Sequence, residues 1–307
     1  SFFQGNKETK VFTRGEVILS AGALNSPQLL YLSGLGPANE LKSHGISILQ
    51  DMPHVGRHLQ DHIGVDFTLL VNRPSLNQKL RPVLGKLMVG LEYLFLRSGP
   101  LAMSLNQAGG FVKSDASLAS PDLQLYFSPL SYSTAPQGKR PLMSPDPYPA
   151  VRLGFNPTKP TSEGWISLES SDPRKSPKFV GNYLSTAKDK KVMISGMHLM
   201  RKFLQTKAMK KIVDEEISPG SNFKDDESFM DFARDEGGTV FHQCGTCRMG
   251  TDVSSSVVDE SLNVHGTQGL RVVDASIFPR ITTGNTNAPA IMVGEKAADT
   301  ILADRKL

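Results

Sequence analysis

Glu16-Val17-Ile18-Leu19-Ser20-Ala21-Gly22-Ala23-Leu24-Asn25-Ser26-Pro27-Gln28-Leu29-Leu30-Tyr31-Leu32-Ser33-Gly34 reads as a strand, a tight turn and a helix. The apolar, β-branched run from Val17 to Leu19 predicts a short buried strand, closed by Ala21-Gly22-Ala23. Ser26 then suits a helix N-cap, Pro27 the first helical position and Gly34 the stop. A strand that feeds directly into a helix is the repeating unit of α/β architectures.

Working outward, a second helix is expected over Ala38–His44, closed by Gly45. Near the other end, Gly269-Leu270-Arg271-Val272-Val273-Asp274 reads as a strand leaving a turn at His265-Gly266. After a loop, the Ala-rich stretch Ala288–Ala303 predicts a helix with Pro289 in its first turn.

Between these flanks the pattern changes. Val65–Leu70, Asp122–Phe127, Val151–Phe155 and Gly164–Leu168 alternate apolar and polar residues, as half-buried antiparallel strands do. One helix is expected around Val83–Ser98, and the Pro- and Ser-rich connection Ser128–Pro149 reads as a loop over a site. Val192, Leu199 and Phe203, with Met193, Met197, Met200 and Leu204, recur at three- and four-residue spacing and predict a long core-facing helix; a membrane-surface helix is the alternative that its Met and Lys content allows. Asp225–Arg234 reads as another amphipathic helix. Expected domains are therefore 1–63 and 238–307 together, with 64–237 between them as a mostly antiparallel-sheet domain.

Composition narrows the class. The 307 residues are 39% hydrophobic and 21% charged, which is ordinary for a globular protein. The formal charge of +4 forms no Lys/Arg block of the nucleic-acid-binding kind, so no nucleic acid is expected as a partner. No apolar run is long enough to cross a bilayer; the longest, Leu84–Leu96, is interrupted by Lys86 and Glu92. Cys244 and Cys247 are the only cysteines, which excludes a disulfide framework and points to a reducing compartment. A cytoplasmic location is expected, with peripheral attachment to the inner membrane as the alternative. Ser1–Phe12 has no initiator Met and no signal-peptide pattern, and it reads like the middle of a domain.

Four ordered stretches carry a resemblance. Gly22–Gly36 fits the second sequence signature of the glucose–methanol–choline (GMC) oxidoreductases at every constrained position. Val55-Gly56-Arg57-His58-Leu59-Gln60-Asp61-His62 resembles that family's VGxNLQDH segment, and His242-Gln243-Cys244-Gly245-Thr246-Cys247-Arg248-Met249-Gly250 its HPxGTCxMG segment. Val272–Pro279, running on to Gly284–Pro289, is similar to the closing motif. The resemblance is nearest in flavour to the choline-dehydrogenase-like bacterial branch. His58 stands where Asn is usual and Gln243 where Pro is usual. The GxGxxG that binds the ADP part of FAD does not occur in these residues, so the C-terminal half of a longer enzyme is expected.

The resemblance implies an α/β (α+β) fold: part of an FAD-binding Rossmann-like domain plus a substrate domain. It implies FAD as cofactor, a small alcohol as substrate, and oxygen or a quinone as electron acceptor. His242 is implied as the base, since an imidazole titrates near working pH. Asn285 occupies the position of its His or Asn partner and can hold an alcohol oxygen without taking its proton. Asp274 and Ala275 are implied to contact FAD at a strand end, where Ala275 permits close approach. Asn287 and Ala288 open a helix whose positive end would face the flavin's pyrimidine side. Each of these residues also has a plainer reading, as a core histidine, a turn or a helix cap. The Cys244/Cys247 pair reads as packing, because no second ligand pair completes a metal site; none is expected. A non-redox flavoprotein of the hydroxynitrile-lyase type and a non-catalytic fragment are the alternative functions.

Overall fold

The computed structural model describes residues 1–132 and 144–304. These form two compact units: Ser1–Asp61 with Ser162–Tyr183 and Phe241–Leu307, and His62–Thr161 with Leu184–Val240. The expected middle block ran unbroken from 64 to 237, whereas Ser162–Tyr183 clusters with the first unit. Backbone bonds explain this: Leu59 and Gly164 exchange N–H···O bonds of 3.1 and 2.8 Å, and the Ile166 N–H donates to Gly56 O at 2.7 Å.

In the first unit, Val17–Leu19 pairs in parallel with Leu270–Val272, placing Leu19 opposite Val272. The strand is not buried as expected. Val17 and Ile18 are 48% and 43% exposed, because among the described residues the strand has a partner on one side only. The helix also differs from expectation, spanning Gly22–Leu32 with Pro27 inside it. Proline lacks the N–H that would bond the carbonyl four residues back, Ala23 O. The Thr246 hydroxyl donates to that carbonyl instead, at 2.6 Å, so the helix tolerates the break. Ser26 is no cap; its hydroxyl donates to Asp274 at 2.5 Å.

Tyr31, fully buried on this helix, donates its phenol to Val55 O at 2.7 Å. Gly56 adopts φ +72°, and a Cβ there would lie 2.1 Å from the Tyr31 oxygen, so only glycine fits. The core around them includes Leu30, Leu41, Val55, Cys244, Cys247, Val258 and Val272. The last helix, Asn287–Asp304, matches its expected place and buries Val293 and Ala297.

The second unit is built on an antiparallel sheet in the order Val213–Ser218, Ile63–Val71, Ala150–Pro157, Leu123–Ser128, Ala108–Val112, with Gly238–Thr239 also pairing to Ile63–Val71. Ile63–Val71 is buried along nearly its whole length rather than on alternate residues, so both faces of this interior strand are shielded from solvent. The Ala187–Leu204 helix turns Met193, Met197 and Met200 into the core against Ala150–Pro157, the core-facing choice of the two readings. Thr186 caps it by accepting the Asp189 N–H. Asp226–Asp235 opens with a capping box at Asp225. The expected helix at Val83–Ser98 spans Val83–Leu96 and follows a short one at Leu76–Leu80. The middle of the expected Ser128–Pro149 loop lies outside the described residues.

Candidate active site

His242 sits at a sharp corner of the first unit. Phe241 before it takes a left-handed φ of +62° and is 80% exposed, while His242 is buried at 9%. A left-handed conformation in a bulky residue costs about 1–3 kcal/mol and persists only where surrounding contacts impose it. Here the imposing contact is Asp61. Its Oδ1 accepts the backbone N–H of His242 at 2.8 Å. Its Oδ2 accepts the Tyr183 phenol at 2.5 Å and the Gln243 amide at 3.1 Å.

Gln60 continues the brace. Its backbone exchanges bonds of 3.0 and 2.9 Å with Cys244, and its side-chain oxygen accepts the Ile281 N–H at 3.0 Å. Ile281 begins the turn that carries Asn285, so one short segment holds both candidate catalytic loops. Gly245, at φ +86°, lets the chain pass: a Cβ would lie 2.5 Å from His58 O.

The result is a direct contact across 43 positions: Asn285 Nδ2 lies 3.1 Å from His242 Nε2. Burial lowers the His242 pKa from its ordinary value, and the Asp61 carboxylate partly opposes this. Burial thus favours the neutral imidazole, whose Nε2 faces the Asn285 amide.

Asp274 is differently placed from expectation. Its carboxylate accepts from the Gly22 N–H at 2.9 Å, the Ser26 hydroxyl at 2.5 Å and the Ser276 N–H at 2.7 Å. It thus fastens the Gly22–Leu32 helix to the strand end, leaving the backbone rather than the side chain to meet a ligand. The Ala275 N–H has no acceptor among the described residues, and neither have the N–H groups of Asn287 and Ala288, both exposed at the start of the last helix. Such open N–H groups at a helix start favour negative charge.

Cys244 and Cys247 are unbridged and fully buried. Burial pushes the Cys244 thiol up to about 12 and that of Cys247 up as well, which keeps both protonated and unreactive. His58, the residue at the usual Asn position, bonds His54 through Nε2 at 2.9 Å and Glu163 through Nδ1 at 2.8 Å. It thereby ties the VGRHLQDH segment to the Ser162–Tyr183 segment.

Asp61, Gln243 and Tyr183 were given no role by the sequence. Asp61 and Gln243 lie inside the quoted motifs, where a carboxylate and an amide flanking a histidine segment were signals available to read. Tyr183 offers none, since only folding brings it to Asp61.

Two GMC oxidoreductase family models match the chain, one over residues 2–64 and the other over residues 160–294. Alcohol dehydrogenase (acceptor) of Pseudomonas putida is 39% identical over 98% of this chain and 54% of its own length. Oxygen-dependent choline dehydrogenase of Brucella anthropi is 38% identical over 97% of this chain and 53% of its own. Formate oxidase from Aspergillus oryzae superposes with a TM-score of 0.86 at 30% identity, over 96% of this chain and 55% of that one. The chain thus spans about half the length of the curated relatives it matches. On these matches and the motif geometry, the chain belongs to the GMC oxidoreductase family.

Proposed function

We propose that this chain supplies the substrate-side catalytic groups of a flavin-dependent alcohol oxidoreductase, with His242 as base and Asn285 as its partner. The observation that supports this most is the 3.1 Å approach of Asn285 Nδ2 to His242 Nε2. An amide nitrogen can only donate, so Nε2 accepts and the ring proton sits on Nδ1. An alcohol entering between the two would donate its O–H to Nε2 and accept from the Asn285 amide. Nε2 then takes the proton while the amide steadies the charge growing on oxygen.

FAD, when bound, supplies the acceptor for the hydride that leaves the carbon. The residues present fit such a group. The open N–H groups of Asn287 and Ala288 suit its electron-rich pyrimidine side, and that of Ala275 suits a phosphate oxygen. Asp274 would serve through its backbone and by holding the neighbouring helix start in place. The relatives named alcohol dehydrogenase and choline dehydrogenase favour a CH–OH substrate. Oxygen or a quinone would then serve as the final electron acceptor.

The test is anaerobic stopped-flow reduction of the flavin-loaded protein by an alcohol. Bleaching of the flavin separates redox catalysis from a lyase-type role. His242→Ala is expected to slow it by roughly 10²–10⁴-fold, the usual loss on removing a general base, with flavin absorbance retained. Reduction at the unmutated rate would sink the assignment.

A further inference from the structure

The turn that carries Tyr183 is shaped to aim one side chain. Its neighbours Asn182 and Leu184 both take left-handed φ angles, +50° and +53°. Asparagine enters that region readily, but a bulky leucine is an outlier there. Such a conformation persists only where surrounding contacts impose it. The Asn182 side-chain amide donates to Glu163 O at 2.9 Å, and Leu184 is buried. Gly181 completes the turn, since a Cβ there would overlap the Tyr183 ring.

The turn is also held against the segment that ends in Asp61. It follows the hairpin of Trp165–Ser167 with Lys178–Val180, in which Ile166 faces Phe179. The Ile166 N–H donates to Gly56 O, and Gly164 exchanges two bonds with Leu59, two residues before Asp61. Tyr183 thus reaches Asp61 from a fixed frame. Its phenol donates to Oδ2 at 2.5 Å, while Oδ1 accepts the His242 N–H at 2.8 Å. Asp61 and Tyr183 each end a stretch of the first unit, and Phe241, next to His242, begins one. One carboxylate therefore ties together three of the points at which the chain enters or leaves that unit.

We propose that Tyr183 is a positioning residue for the base: by holding the Asp61 carboxylate it fixes where His242 stands, a role that rests on the assignment of His242 above. Backbone strain on both sides of the side chain sets Tyr183 apart from Gln243, whose flexible amide makes a longer bond of 3.1 Å to the same oxygen. The charge that acts on His242 is that of Asp61, which favours the imidazolium. A phenol that donates to this carboxylate draws off part of that charge. The other titratable group that feels the Asp61 charge is the buried Cys244 thiol, which stays protonated. His62, next in the chain, has its Nε2 3.2 Å from Thr158 O.

Tyr183→Phe keeps the ring and removes the donor. In the flavin-loaded protein kcat should fall by up to about 10²-fold, the cost of a reacting group misplaced by about 1 Å, with KM little changed. The Asp61 charge is then less dispersed, so the His242 ring should titrate at higher pH. NMR of the histidine-labelled chain reads this, with the peak missing from His242→Ala identifying the ring. The acid limb of kcat/KM should move upward with it. Incorporating 3-fluorotyrosine at position 183, a stronger donor that keeps the bond, should shift both the other way; it also covers a phenylalanine variant that does not fold. A His242 titration that stays in place in the folded variants overturns the proposal even if turnover falls, because lost packing alone would slow turnover without moving it. His242→Ala reducing flavin at the unmutated rate would overturn the base assignment and the Tyr183 role together. An unmoved titration beside a slow His242→Ala variant overturns the Tyr183 role alone.

Discussion

Asp61 accepts the backbone N–H of His242 at 2.8 Å although 181 positions separate the two residues. The same carboxylate holds Tyr183 and Gln243, so it fixes the His242 backbone and partly opposes the burial that lowers the imidazole pKa. Gln243 stands where the family usually has proline, and its side-chain bond to Asp61 supplies a restraint that proline's ring would otherwise give.

Asp61→Asn tests this brace. The amide keeps an oxygen for the His242 N–H but removes the charge that raises the His242 pKa. The acid limb of kcat/KM against pH should therefore move to lower pH. Stability should fall by about 1–3 kcal/mol, because one buried bond to a charged acceptor is weakened. A limb that stays in place or moves upward contradicts the account; urea unfolding measures the second effect.

Asn285→Asp should act in the opposite direction on the same limb. A carboxylate 3.1 Å from His242 Nε2 would favour the imidazolium, raising its pKa and moving the acid limb upward. It would also oppose negative charge on the substrate oxygen, so turnover at the pH optimum should drop. An unchanged profile with full turnover would show that Asn285 does not face the reacting oxygen.

Two histidines with lowered pKa values predict how the fold responds to acid. His242 and His58 both have pKa values lowered from 6.5, chiefly by burial. Between the folded and unfolded values the unfolded chain binds more protons, so stability falls as pH drops below about 6.5 and levels off below the folded values. His58→Asn, which restores the usual family residue, should make the decline between pH 7 and pH 5 shallower. Denaturant midpoints across that range give the answer.

Thr246→Val replaces a hydroxyl with a methyl group of similar size. It would leave the Ala23 carbonyl without the donor that compensates for Pro27. The expected loss is about 1–3 kcal/mol, the cost of a buried unsatisfied acceptor. An unchanged thermal midpoint would mean that another group takes over.

Flavin affinity gives a further check. These 307 residues contain no GxGxxG, whose backbone and helix start hold the pyrophosphate in dinucleotide-binding folds. The 307-residue chain is expected to bind FAD weakly in a fluorescence titration. Stoichiometric flavin in the purified chain would show that Ala275, Asn287 and Ala288 suffice.

Much of this protein was legible in the residues themselves. The strand at Val17–Leu19 and the long helices at Ala187–Leu204 and Asn287–Asp304 follow from periodicity and caps, which depend on near neighbours in the chain, and the segments around Asp61, His242 and Asn285 stand out through the family resemblance. Other features depended on groups far away. The first helix starts at Gly22 rather than Ser26 because Asp274 accepts its leading N–H and Thr246 satisfies the carbonyl that Pro27 strands. Ser162–Tyr183 joins the first unit because Gly164 and Ile166 bond Leu59 and Gly56. Val17, Ile18 and the arc of Val83–Leu96 are apolar yet exposed, which no hydrophobic pattern distinguishes from burial. Local pattern states what a residue can pair with; only the folded chain decides which distant donor, acceptor or apolar face arrives beside it.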